Sequence, residues 1–164
     1  MITIKETEKA YIAGFIDGEG CINIYKREPK RRGRKSYEYA LNMLIANTRL
    51  EPLKFIMSSY GGHIQKYIDN RGSNRAICYH LCLSPRSSQN LLLSIYPYLM
   101  IKKPHADIAF KLCELRKRYP RKVIMKRSNC GKKVPNCLPN SLEYTRAQEK
   151  CYQKLRELNK KGKK

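Results

Sequence analysis

Two carboxylates stand where a helix ought to end, and their position is the first chemical question the sequence raises. The stretch Tyr11 to Gly20 reads YIAGFIDGEG, an apolar run closing on Asp17, Gly18, Glu19 and Gly20. The C-terminal end of a helix exposes unpaired carbonyls and partial negative charge, so Gly or a cation is favoured there. Asp17 and Glu19 work against that dipole. Either they are simply solvated, or something cationic sits beside them. Ala13 and Gly14 are small enough for a second helix backbone to approach closely. Gly18 and Gly20 let the chain turn sharply out of the helix. If this helix pairs with its own symmetry mate, two copies of Glu19 converge. Close carboxylates repel and raise each other's pKa. A shared divalent cation removes that conflict, and hard oxygen donors suit Mg²⁺.

The elements around the motif follow from periodicity. Ile2 to Asp17 is expected to be a helix, with Thr7 as N-cap and Ile12, Phe15 and Ile16 on its apolar face. Cys21 to Arg27 alternates, with Ile22 and Ile24 on one side and Asn23, Tyr25 and Arg27 on the other, as a half-buried strand does. A basic loop at 29–36 leads to a second strand at Tyr37 to Ala46. A helix from Leu50 or Pro52 to Tyr60 is stopped by Gly61-Gly62. A second hairpin joins His63 to Asp69 with Arg75 to Leu83. Helices are expected over Ser87 to Leu99, Lys102 to Arg118 and Ser141 to Leu158. Residues 120–140 are rich in Pro, Asn and Lys and read as irregular. Hairpins alternating with helices predict an α+β domain with one antiparallel sheet, helices on one face and polar residues on the other.

The 164 residues suffice for one domain with a real core. Lys and Arg number 35 against 13 Asp and Glu, a formal charge of +22. That exceeds what solubility needs and implies a polyanionic partner, most plausibly nucleic acid. An anionic membrane surface is the rival, but there is no long apolar run and no signal peptide. The seven cysteines form no C-x-x-C pair. Cys78, His80 and Cys82 share a strand face without a fourth ligand, so reduced, structural thiols are expected rather than zinc.

Ile12 to Gly20 resembles the nine-position signature of the LAGLIDADG homing endonucleases. The order α-β-β-α-β-β-α over roughly residues 7 to 112 is similar to that family's core, with a C-terminal helical extension at about 113–159 and a basic tail at 160–164. The resemblance implies that Glu19 binds metal, assisted by the carbonyl of Gly18, and that Asp17 is structural at the helix crossing. It implies Mg²⁺ or Mn²⁺ as cofactor, with Ca²⁺ able to occupy the site without supporting cleavage. Lys102 resembles the family's active-site lysine, against the alternative of an ordinary surface lysine. Asn47 resembles the polar residue that holds water, against the alternative of a turn or cap residue. One motif copy implies a homodimer, paired through Ala13, Gly14 and Asp17, on a near-palindromic site.

A two-stranded ribbon fits the major groove. The expected saddle-shaped sheet puts Asn23, Tyr25, Arg27, Glu38 and Asn42 against base edges. On the third strand Gln65, Tyr67 and Asp69 are expected outward if Ile64 and Ile68 are core. Lys66 shares the isoleucine face, and the inverted assignment stays open. Lys30, Arg31, Arg32, Arg34 and Lys35 of the basic loop are expected to hold phosphates, as are Arg71 and Arg75. Two subunits would span about 20 base pairs at ~10–10.5 per turn. The implied product is a double-strand break with short 3′ overhangs, made by an intron-borne mobile element. It would act inside the cell, in the cytoplasm or nucleoid or in a chloroplast or mitochondrion. The alternatives are an RNA maturase or a non-cleaving DNA-binding regulator of the same ancestry. A basic ribosomal or chromatin protein would explain the charge but not the motif.

Overall fold

The structure, a computed structural model, describes residues 4–28, 37–69, 76–119, 123–127, 133–137 and 141–161. Helix α1 spans Glu6–Glu19. It begins one residue before Thr7, so Thr7 sits inside the first turn and is not the cap. The N-cap position falls to Lys5, whose N–H donates to the Glu8 carboxylate at 2.7 Å. At the other end the Gly20 N–H reaches back to the Ile16 carbonyl. A Cβ on Gly20 would lie 2.8 Å from that oxygen, so the tight exit into the first strand requires glycine.

Strands β1 (Gly20–Arg27) and β2 (Glu38–Asn47) pair antiparallel. Helix α2 (Glu51–Tyr60) carries Pro52 in its first turn and stops at Gly61 and Gly62, whose φ angles of 77° and 106° exclude most side chains. Strands β3 (His63–Asp69) and β4 (Ala76–Leu83) form the second hairpin. Because β2 also pairs with β4, one four-stranded sheet results, in the order β1-β2-β4-β3.

Helix α3 (Pro85–Ile95) starts two residues earlier than Ser87, because Ser84 caps it by accepting from the Ser87 N–H at 3.1 Å, and Pro85 fills the first position. It ends in a 3₁₀ turn at Tyr96–Tyr98. Helix α4 covers Lys103–Arg118. The stretch after it is not wholly irregular: β5 (Val123–Arg127) pairs antiparallel with β6 (Lys133–Cys137) in a separate ribbon. Helix α5 runs from Leu142 to Lys161.

One face of the sheet is the core. Ile22, Ile24, Tyr39, Leu41, Met43, Ile45, Leu81 and Leu83 all point to it and are buried with Ile12, Ala13 and Ile16 of α1, Leu91 of α3 and Ala109 of α4. Helix α5 packs on α4 and along β1, sending Leu155 and Cys151 into the same core. It is locked there by Glu149, which takes a 2.8 Å ion pair from Lys26 of β1 and a hydrogen bond from the Tyr39 hydroxyl of β2. All the covering helices lie on one side, leaving the other face of the sheet outermost. Among the described residues, no helix is long and apolar enough to cross a membrane.

Candidate active site and nucleic-acid face

The question posed by Asp17 and Glu19 has two different answers. Asp17 turns inward from α1 to the loop that joins the 3₁₀ turn to α4. Its carboxylate accepts three backbone N–H groups, from Met100 at 2.8 Å, Ile101 at 3.2 Å and Lys102 at 2.8 Å. Burial opposes its ionisation, but these donors and then the Lys102 charge outweigh it and hold the carboxyl below its ordinary range. The cation that the helix end calls for is Lys102. Its ammonium donates to the carbonyls of Ile16 at 2.9 Å and Asp17 at 2.5 Å, capping the end of α1. Burial lowers the Lys102 pKa, with Asp17, Cys21 and Glu19 opposing. Asp17 and Lys102 therefore fasten each other across 85 residues of sequence.

Glu19 is the last residue of α1 and is exposed; among the described residues its side chain makes no hydrogen bond. Gly18 beside it is also exposed. Together they offer hard oxygen donors next to the Lys102 ammonium, a donor set that suits Mg²⁺ or Mn²⁺. No group of three His, Cys, Asp or Glu side chains that could hold a metal occurs among the described residues.

The structure bears on two of the expected roles: it shows the turn bond that was the alternative for Asn47, and it removes Ala13 from the dimer interface. Asn47 ends β2, and its Oδ1 accepts the Arg49 N–H at 2.8 Å, the behaviour of a turn residue. Ala13 is fully buried within its own chain and cannot meet a partner helix. Gly14 is exposed, with nothing within 4 Å of where a Cβ would stand, and Ala10 and Gly18 lie on the same exposed stripe one turn to either side.

The outer face of the sheet carries Asn23, Tyr25 and Arg27 from β1. Their partners in register are Asn42, Ala40 and Glu38 of β2. Tyr25 is 44% exposed. On β3, Ile64 pairs with buried Leu81 and packs on the core, so Gln65 and Tyr67 face outward. Lys66 pairs with Tyr79 and lies on the core side of this edge strand, although solvent reaches it; it does not share the outer face. Tyr67 stacks on His80 at 5.2 Å between ring centroids. Asp69 closes β3 opposite Ala76. Lys30, Arg31, Arg32, Arg34, Lys35, Arg71 and Arg75 lie outside the described residues.

Sequence reasoning missed His105 and Asn159. His105 sits one turn past Lys102 and near Asn159 of α5; among the described residues its buried Nδ1 finds no hydrogen-bond partner, and burial and then Lys102 lower its pKa, with Asn159 opposing. Asn159 in turn donates to the Ile22 carbonyl at 3.1 Å. The only signal was the helical spacing of His105 from Lys102; its link to α5 spans too much sequence to be visible.

The geometry is thus a helix end with one free carboxylate and one caged lysine, beside a polar sheet face. Compared with known families, residues 12–111 match the model of the LAGLIDADG endonucleases. The chain belongs to the LAGLIDADG endonuclease family. No curated protein sequence matches it. Solved LAGLIDADG structures share its fold. The homing endonuclease I-CvuI, in complex with its target in the presence of Ca, superposes with a TM-score of 0.65 at 20% identity, covering 93% of this chain and 82% of that one. The archaeal intron-encoded I-Vdi141I, complexed with DNA, gives 0.59 at 16% identity, covering 93% and 84%. The group I intron-encoded I-CeuI, also complexed with DNA, gives 0.56 at 16% identity over 72% of this chain and 59% of that one.

Proposed function

We propose that this LAGLIDADG protein is a metal-dependent, site-specific DNA endonuclease that works as a homodimer. The observation that carries the reading is the cage at the end of α1: Asp17 and Lys102 fix each other, and Glu19 is left exposed beside them. Glu19 and the Gly18 carbonyl would hold Mg²⁺ or Mn²⁺, the remaining ligands coming from DNA phosphate oxygens and the second copy. When bound, the cation supplies Lewis-acid polarisation of the phosphate and a nucleophilic water. Ca²⁺ would fill the site without supporting cleavage.

The chain's own residues perform the rest. Lys102 brings a preorganised positive charge to the scissile phosphate, where negative charge builds in the transition state. Asp17 fixes the backbone that carries Lys102. The Asn47 amide keeps its NH₂ group for a water even while its oxygen holds the turn. A homodimer presents one such set to each DNA strand, paired through the exposed Gly14 stripe, with Asp17 just inside it. The outer face, through Asn23, Tyr25, Arg27, Glu38, Asn42, Gln65 and Tyr67, lies in the major groove, and the basic loop holds phosphates. Lys66 reaches only backbone from its side of the edge strand.

The target is a long, near-palindromic duplex cut to short 3′ overhangs. The relatives solved with DNA and described as intron-encoded support an intron-borne element, acting where the host keeps DNA: nucleoid, chloroplast or mitochondrion. The test is incubation with a randomised duplex library and Mg²⁺, followed by sequencing of the cut ends. One long, near-symmetric sequence with 3′ overhangs is expected. Selective binding of duplex with no cutting would point to a regulator, and RNA-dependent splicing without cutting to a maturase.

A further inference from the structure

The outer face is not uniformly polar. Its inner strands, β2 and β4, turn Ala40, Leu44, Ala46 and Cys82 toward it, interrupted by Asn42 and His80. In register, Cys21 of β1 lies beside Leu44 of β2, and Leu44 beside Cys82 of β4. Neighbouring strands are about 4.8 Å apart, so this row is roughly 10 Å wide, close to the ~12 Å width of the major groove. Leu44 and Cys82 are half-buried and Cys21 is exposed, whereas the sheet's fully buried side chains all belong to the opposite face. The row is therefore surface, not core. The row ends on the edge strand at His63, in register beside Cys82, and its neighbours are the rung Asn23–Asn42 on one side and Ala46–His80–Gln65 on the other.

Leu44 has neither donor nor acceptor, and a thiol is only a weak one. The Cys21–Leu44–Cys82 part of the row, inward of His63, cannot read the hydrogen-bonding edges of bases. The apolar group that the major groove does offer is the C5-methyl of thymine. We propose that Leu44, with Cys21 and Cys82 beside it, forms a methyl-reading row that selects thymine at the active-site end of each half-site, because Cys21 follows Glu19 by two residues. This rests on the DNA-endonuclease reading and names the bases that reading would prefer. It also means that 5-methylcytosine, with its methyl in the same place, substitutes for thymine there.

The test uses the site selected from the randomised library. Each thymine is replaced in turn by deoxyuridine, which lacks only the methyl, and affinity is measured in Ca²⁺ for wild type and Leu44→Gln. At one or two positions per half-site the wild type should lose about fourfold per methyl, and 5-methylcytosine should restore binding where cytosine does not. Leu44→Gln should be indifferent to the same replacements. A selected site on which deoxyuridine is bound as tightly as thymine at every position would overturn the methyl-reading row alone. A wild type that selects no duplex would overturn the DNA reading and this inference with it.

Discussion

Asp17 is a structural residue whose work is visible in three bonds. Replacing it with Ala strands the N–H groups of Met100, Ile101 and Lys102 and should cost about 2 kcal/mol of stability, with Asn costing less; chemical denaturation measures both. Because the folded-state pKa of Asp17 is lowered, its contribution is present above the unfolded carboxyl value near 4 and is lost as pH falls through the folded one. Lys102→Met keeps length but removes the cation from the end of α1. It should cut the single-turnover rate on the order of 10²-fold while leaving affinity for the site largely intact. Of these two residues the sequence showed type and place but not partnership. The motif marked Asp17, and the resemblance marked Lys102, yet a bond between positions 17 and 102 leaves no local pattern. Asn47 was legible as a polar residue at a strand end, and its turn bond to Arg49 is the commonest use of an Asn there.

The elements were legible wherever burial imposes a period. β1 alternates because Ile22 and Ile24 face the core, and α2 stops where two glycines take positive φ. The β5–β6 ribbon escaped notice because it has no such pattern: its five-residue strands carry Lys, Asn and Pro135. The start of α1 was misplaced because Thr7 is a better cap by type than Lys5, while the Glu8 carboxylate takes over the capping of the Lys5 N–H. Helix α5 was foreseen, but its attachment was not. Glu149 is partly buried, which opposes its charge, but Lys26, Tyr39 and Gln153 prevail and take its pKa down to about 2. The docking of α5 should thus be complete above the unfolded Glu value near 4.3 and weaken as pH falls toward 2. Total tyrosine fluorescence during acid titration, compared between wild type and Glu149→Gln, would follow it, and the variant should lack the transition.

At the scale of the molecule, the proposed function rests on charge and on pairing of two copies. If, as proposed, the chain grips DNA phosphates, its formal charge of +22 should make affinity fall steeply with salt, by about 0.9 in log K per log salt for each phosphate neutralised. The exposed Gly14 position separates fold from assembly. Gly14→Ala adds a better helix former in open space and should stabilise the monomer by up to about 1 kcal/mol. Gly14→Leu should keep the fold yet split the dimer, seen as a halved mass by light scattering and loss of double-strand cutting. In the proposed mechanism Glu19 serves cleavage and not binding. This is tested most directly by measuring binding and cutting of the selected site by Glu19→Gln beside wild type, in Mg²⁺ and in EDTA. The variant should bind like wild type without cutting, and wild type should cut only with Mg²⁺. Equal cutting by the two proteins, or cutting that survives EDTA, would contradict this mechanism.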